Sequence, residues 1–112
     1  MSDDGSGGVT EYFRVDGGAL ETRFSKSTRH FDNVAAYFGD SADLQIYHDG
    51  SNSYISDTGT GKFIINSNFL EIKNASNNEL MASFNDNDAV TLFYDNVAKL
   101  ATTSTGVTVT GD

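Results

Sequence analysis

The sequence predicts an all-β protein built as an array of short hairpins, and three observations carry that prediction. Residues 44–55 read Leu-Gln-Ile-Tyr-His-Asp-Gly-Ser-Asn-Ser-Tyr-Ile: an alternating apolar run, a corner at Asp49-Gly50, and a second run returning from it. An Asp-Gly pair between two β-type runs signals a hairpin, because glycine accepts the positive φ that a tight turn requires. The corner is written again at Asp16-Gly17 and, as Asp95-Asn96, near the end of the chain, each time with an apolar residue three positions before the aspartate (Phe13, Ile46, Leu92). Finally, clusters of Gly, Asn, Asp and Ser interrupt the chain roughly every 8–12 residues, the spacing of short strands in all-β folds.

Taken in order, residues 1–8 (MSDDGSGG) form a Gly/Ser/Asp tract with no apolar anchor and are expected as a flexible leader. Residues 9–112 are expected as a single all-β module, whole or part of a longer repetitive protein. Phe13 and Val15 share one face of a first strand; Leu20, Thr22 and Phe24 alternate with Glu21 and Arg23 along its return. Residues 23–33, holding Lys26 and Arg29 beside His30, break the alternation and are expected outside the regular sheet. Residues 34–38 return to strand before Gly39-Asp40 turns the chain. Beyond the central hairpin, residues 62–66 and 69–73 read as two short strands, and residues 74–78 (NASNN) as a turn, since asparagine imitates backbone turns and tolerates left-handed conformations. Residues 79–84 form a strand with Leu80, Ala82 and Phe84 on one face. Residues 85–88 reverse it into residues 90–94, and the last strand lies within residues 105–110. The corners are 33 and 46 residues apart, so a regular solenoid with one period is disfavoured.

Composition narrows the function. Leu, Ile, Val and Phe make 26 of the 112 residues, enough to fold but little to spare. With no cysteine, disulfides, thiolate metal sites and cysteine nucleophiles are absent. No run approaches the length of a membrane span, which argues against membrane insertion. Net charge is −9, with three Lys/Arg against eleven Asp/Glu over residues 31–112. That balance argues against nucleic acid, whose phosphates are held by clustered basic groups.

No catalytic or cofactor constellation emerges. Asp40, Asp49 and Asp57 sit beside or near glycines, where aspartate serves turn geometry rather than paired-carboxylate hydrolysis. Residues 85–88 (NDND) offer oxygen donors but lack the glycine and distal glutamate of an EF-hand loop. His30 and His48 belong to no metal-ligand pair, and Ser27 with His30 and Asp32 is too local for a triad. The expectation is a non-enzyme without cofactor. The candidate contacts for a glycan or host surface are Tyr12, Tyr47, Tyr54 and Phe93, aromatic residues near turns with Asn, Asp and Ser nearby, together with Lys26 and Arg29. Asp16, Gly17, Asp49, Gly50, Asp95 and Asn96 are read as structural turns.

The strings EYFRVDGGALETRFSKSTRHFD, LQIYHDGSNSYISDTGTG and ELMASFNDNDAVTLFYDNVAKLATTSTGVTVTG resemble the repetitive segments of tail-fibre-like structural proteins of marine bacteriophages, such as those infecting cyanobacteria and related ocean bacteria. The resemblance covers most of residues 10–112. It implies an elongated, intertwined trimeric module of β-helix or β-prism type, a structural place in a virion tail fibre beside other fibre or tail proteins, and a part in attachment to a host surface glycan. The alternative is a monomeric carbohydrate-binding β-module. Independently of the resemblance, short strands with two or three inward apolar residues leave half an apolar face wet when a single layer folds alone, so partner surface is required. Ile46, Ile64, Leu70, Ile72, Leu92, Val107 and Val109 are expected in this shared interior, with Glu71, Lys73 and Thr108 outside it.

Overall fold

The computed structural model describes residues 2–3 and 5–111, and all of the regular structure among them is β. Among the described residues no helix is long and apolar enough to cross a membrane. Every strand pairing is antiparallel and joins strands consecutive in sequence. The chain divides into two compact units, Met1–Phe63 and Ile64–Asp112.

The first unit holds three small sheets. β1 (Ser2–Asp3) pairs with β2 (Val9–Thr10), so the Gly/Ser/Asp tract contributes a short strand of its own. β3 (Phe13–Asp16) pairs with β4 (Glu21–Phe24). Their register sets Phe13 opposite Phe24, with ring centroids 6.2 Å apart, and Val15 opposite Thr22. On the other face Arg14 opposes Arg23, and the like charges are offset by carboxylates: Arg23 lies 3.5 Å from Asp16 and also pairs with Glu21, while Arg14 lies 3.8 Å from Asp16. Arg23 therefore belongs to the sheet, and the non-alternating segment expected from residue 23 begins only after Phe24. Leu20, expected on the return strand, instead lies in the turn at φ 57° and 89% exposed. β5 (Ala36–Phe38), β6 (Leu44–His48) and β7 (Ser53–Asp57) make the third sheet, in that order.

Residues 62–66 form no strand. Phe63, Ile64 and Ile65 carry strong β-propensity, but propensity without a partner edge supplies no ladder hydrogen bonds, and all three side chains are exposed.

The second unit is one five-stranded meander of β8 (Phe69–Lys73), β9 (Leu80–Asn85), β10 (Val90–Tyr94), β11 (Val97–Thr103) and β12 (Gly106–Val109). Its register aligns a row across all five strands: Ile72, Ala82, Leu92, Leu100 and Val109 stand opposite one another in turn. The adjacent row, Glu71, Ser83, Thr91, Ala101 and Thr108, lies one residue along each strand and so faces the other way. Alternation thus sorts the sheet into an apolar and a mostly polar side, as expected for Leu70, Ile72, Leu92, Val107 and Val109 against Glu71 and Thr108. Lys73 lies 3.5 Å from Glu71 in an ion pair. The apolar side is not covered: among the described residues only Ala82 and Ser83 are buried, while Leu92 is 47% and Val109 70% exposed.

The three corners written alike fold in different ways. Asp16 ends β3, and its Oδ1 accepts hydrogen bonds from the backbone N–H groups of Gly18 (3.1 Å) and Ala19 (3.0 Å). The positive φ falls on Leu20, not Gly17. Asp49 starts its loop, where Oδ1 accepts from Asn52 (2.7 Å) and Ser51 (2.9 Å), and Gly50 takes φ 96° as its position in the corner requires. Asp95 and Asn96, at φ 49° and 63°, alone link Tyr94 to Val97, the pattern of a two-residue type I′ hairpin. Asn96 also reaches the neighbouring strand, its Oδ1 accepting from the Leu80 N–H at 3.0 Å. The NASNN turn works as expected: Asn74 Oδ1 accepts from the Asn78 and Glu79 N–H groups, and Asn77 is left-handed at φ 59°.

Candidate functional site

The alternation of β6 divides the three-stranded sheet into two unlike faces. Leu44, Ile46 and His48 lie on one, with Ala36 and Phe38 from β5 and Ile55 from β7 beside them. Gln45 and Tyr47 lie on the other, where register sets Tyr37 and Ser56 on either side of Gln45 and places Tyr54 beside Tyr47. On the second face the described residues bring aromatic rings and uncharged polar side chains around a depression.

Tyr47 and Tyr54 stack, with centroids 4.8 Å apart and an interplanar angle of 18°. The Tyr54 hydroxyl donates to Asp49 Oδ2 at 3.0 Å, so the corner that closes the hairpin also anchors the ring pair. The Asn52 N–H, then the Ser51 N–H, and also the Tyr54 hydroxyl hold the Asp49 carboxyl below its ordinary pKa, because all three bond the ionised form. A carboxylate with a lowered folded-state pKa stabilises the fold above its unfolded value of about 3.9, and that contribution is lost as pH falls through the folded value. Acid titration followed at the Ser51 and Asn52 amide resonances is therefore expected to show Asp49 titrating below an ordinary aspartate, with the tyrosine hairpin loosening over the same range. A midpoint at or above the ordinary value would contradict this account.

On the β5 side of Tyr47 lies a depression of about 120 Å³ lined by Asn33, Ala35, Tyr37, Gln45 and Tyr47. Asn33 is brought there by its left-handed φ of 65° and by its N–H, which donates to the His48 carbonyl at 2.8 Å. Gln45 Nε2 donates to the Ala42 carbonyl at 3.2 Å, which fixes the plane of its amide.

Of the expected contact residues, Tyr47 and Tyr54 are brought together. Tyr12 is not on a strand: it precedes β3, and its carbonyl accepts from the Ser25 N–H at 2.9 Å. Lys26 and Arg29 lie in the connector between β4 and β5 and take part in none of the ion pairs among the described residues. Phe93 stands on β10 of the second unit, half-buried. The sequence reading missed Tyr37, Gln45 and Asn33. Alternation along β6 already joins Gln45 to Tyr47, but Tyr37 and Asn33 enter only through the β5–β6 register.

Elsewhere, a larger depression of about 380 Å³ is lined by Asn87, Asp88, Ala89, Thr102, Thr103 and Ser104, with no aromatic ring. His48 Nδ1 lies 2.9 Å from Ser53 Oγ on the exposed apolar face of the third sheet. Among the described residues, no three His, Cys, Asp or Glu side chains converge as metal ligands would. Comparison with protein-family models, curated proteins and solved structures finds no match.

Proposed function

We propose that this chain is a structural module of a bacteriophage tail fibre or a similar virion appendage, assembled as a homotrimer with other fibre or tail proteins and contributing to attachment at a host surface. The sequence resemblance supplies the context. The observation that carries the reading is the one-sided apolar layer of β8–β12, whose row Ile72–Ala82–Leu92–Leu100–Val109 is left largely open by a single chain. Apolar surface gains about 25 cal/mol per Å² on leaving water, so an open row of this kind favours association. Rotational closure would bring the same row of each copy to a common axis and protect the exposed strand edges, which in this proline-free chain lack one common guard against stray pairing. The reading assigns the chain no reaction and no cofactor.

Light scattering on the purified chain tests it. The expected mass is that of three chains, against 12.1 kDa for one. A compact monomer that melts cooperatively would overturn the fibre module in favour of a monomeric carbohydrate-binding β-module, a reading that the tyrosine face of β5–β7 favours.

A further inference from the structure

We propose that the β5–β6–β7 face seats a single neutral sugar ring between Tyr37 and Tyr47, with the side-chain amides of Gln45 and Asn33 reading its hydroxyls. The proposal deepens the attachment part of the function above and does not depend on the number of chains.

Four observations meet here. Tyr37 is opposite Gln45, so Tyr37 and Tyr47 are diagonal neighbours across the β5–β6 ladder, about 7–8 Å apart at the backbone. That spacing is about two van der Waals contacts of 3.5–4.0 Å, room for one flat ring with a C–H face against an aromatic side chain. Tyr54 already covers one side of Tyr47, leaving the depression on the β5 side as the place where a ligand meets that ring. The depression is small, about 120 Å³. It suits a terminal sugar held at one edge, not an enclosed ligand.

The polar groups specify the chemistry further. An amide offers a donor and an acceptor side by side, which matches vicinal hydroxyls that each donate and accept. Gln45 is pre-oriented by its bond to the Ala42 carbonyl, so less freedom is lost on binding. None of the five lining residues is charged, and the chain carries −9 overall. An anionic sugar would therefore find no counter-charge in the depression and net repulsion around it. The 380 Å³ depression on the second unit lacks any ring to stack on and includes a carboxylate, Asp88, so it does not share this chemistry.

The test is a titration of the isotope-labelled chain with methyl β-glucopyranoside, methyl β-galactopyranoside, methyl α-mannopyranoside and glucuronate, following backbone amide resonances. At least one neutral glycoside is expected to shift the amides of Tyr37, Gln45 and Tyr47, with Kd on the order of 1 mM for so shallow a site. Glucuronate is expected to leave them unmoved. Tyr37 is 63% exposed on an edge strand, so Tyr37→Ala preserves the fold and should weaken binding on the order of tenfold. Tyr94→Ala, on another sheet, should leave binding unchanged. No shift with any neutral glycoside, shifts mapping elsewhere, undiminished binding by Tyr37→Ala, or equal binding of glucuronate would each overturn the proposal. Light scattering on the same samples keeps the two readings apart: a binding monomer sinks the trimer alone, and a trimer that binds no glycoside sinks the sugar seat alone.

Discussion

In the proposed trimer, replacing Leu92 by Asp is expected to remove the assembled mass and the cooperative unfolding transition together. Leu92 sits on the middle strand of the five-stranded sheet and in the middle of the apolar row, flanked by Ala82 and Leu100. The size of the effect reports whether that row is covered. In one chain alone Leu92 keeps 47% of its surface in water, so a carboxylate there stays hydrated and costs about 1–2 kcal/mol in lost packing. In a closed assembly the carboxylates of all copies would meet in an apolar interior, where each unpaired charge costs several kcal/mol and repels the others. Light scattering with thermal unfolding by circular dichroism distinguishes the two. A variant that melts cooperatively within a few degrees of the parent, at the parent's mass, would show that the row faces water.

The second large effect is expected at Asn96, where replacement by Val should destabilise the second unit by about 1–3 kcal/mol, most of it backbone strain because the hydrogen bond lost is exposed. Two independent losses add. Asn96 holds φ 63° in a hairpin link of only two residues, and a β-branched side chain is strongly disfavoured there. Its Oδ1 is also the acceptor for the Leu80 N–H, which the variant leaves without that partner. Asn96→Gly separates the terms, since glycine restores the left-handed turn and lacks only the acceptor. Denaturant unfolding should place the glycine variant between the parent and Asn96→Val. Equal midpoints for parent and Asn96→Val would contradict the account.

The parts of the fold legible in the sequence are those governed by local chemistry. Turn clusters such as residues 74–78 and the apolar alternation of residues 69–73, 80–84 and 90–94 need only neighbours along the chain to declare themselves. The misreadings fall where the decision is made across strands or by the length of a loop. Leu20 reads as a strand residue by alternation, yet a four-residue loop closing Asp16 onto Glu21 takes it out of the sheet and into left-handed backbone. Arg23 reads as part of a basic irregular segment, yet pairing with Arg14 and compensation by Asp16 and Glu21 keep it in β4. Residues 62–66 have the composition of a strand and pair with no edge. The candidate site divides the same way: Tyr47 and Tyr54 are close in sequence across one turn, whereas Tyr37 and Asn33 reach Gln45 only through the register of β5.

The exclusively sequential pairing of strands also bears on how the protein reaches its native state. Among the described residues no strand waits for a distant segment: each hairpin closes across a short link, and every sheet is complete once its last strand has left the ribosome. Hairpins form on a scale of about 1–10 μs, and low contact order makes the rest of such a chain quick to fold. In the proposed trimer the encounter of separate chains is then the slow step, and its rate depends on concentration. Until that encounter, the newly made chain exposes the apolar row of β8–β12 and the unpaired Phe63-Ile64-Ile65 stretch. Synthesis of several copies from neighbouring ribosomes on one messenger would shorten this interval, whereas dilute refolding would lengthen it. Yield on refolding should accordingly pass through a maximum with protein concentration, limited by incomplete assembly at the low end and by stray strand pairing at the high end.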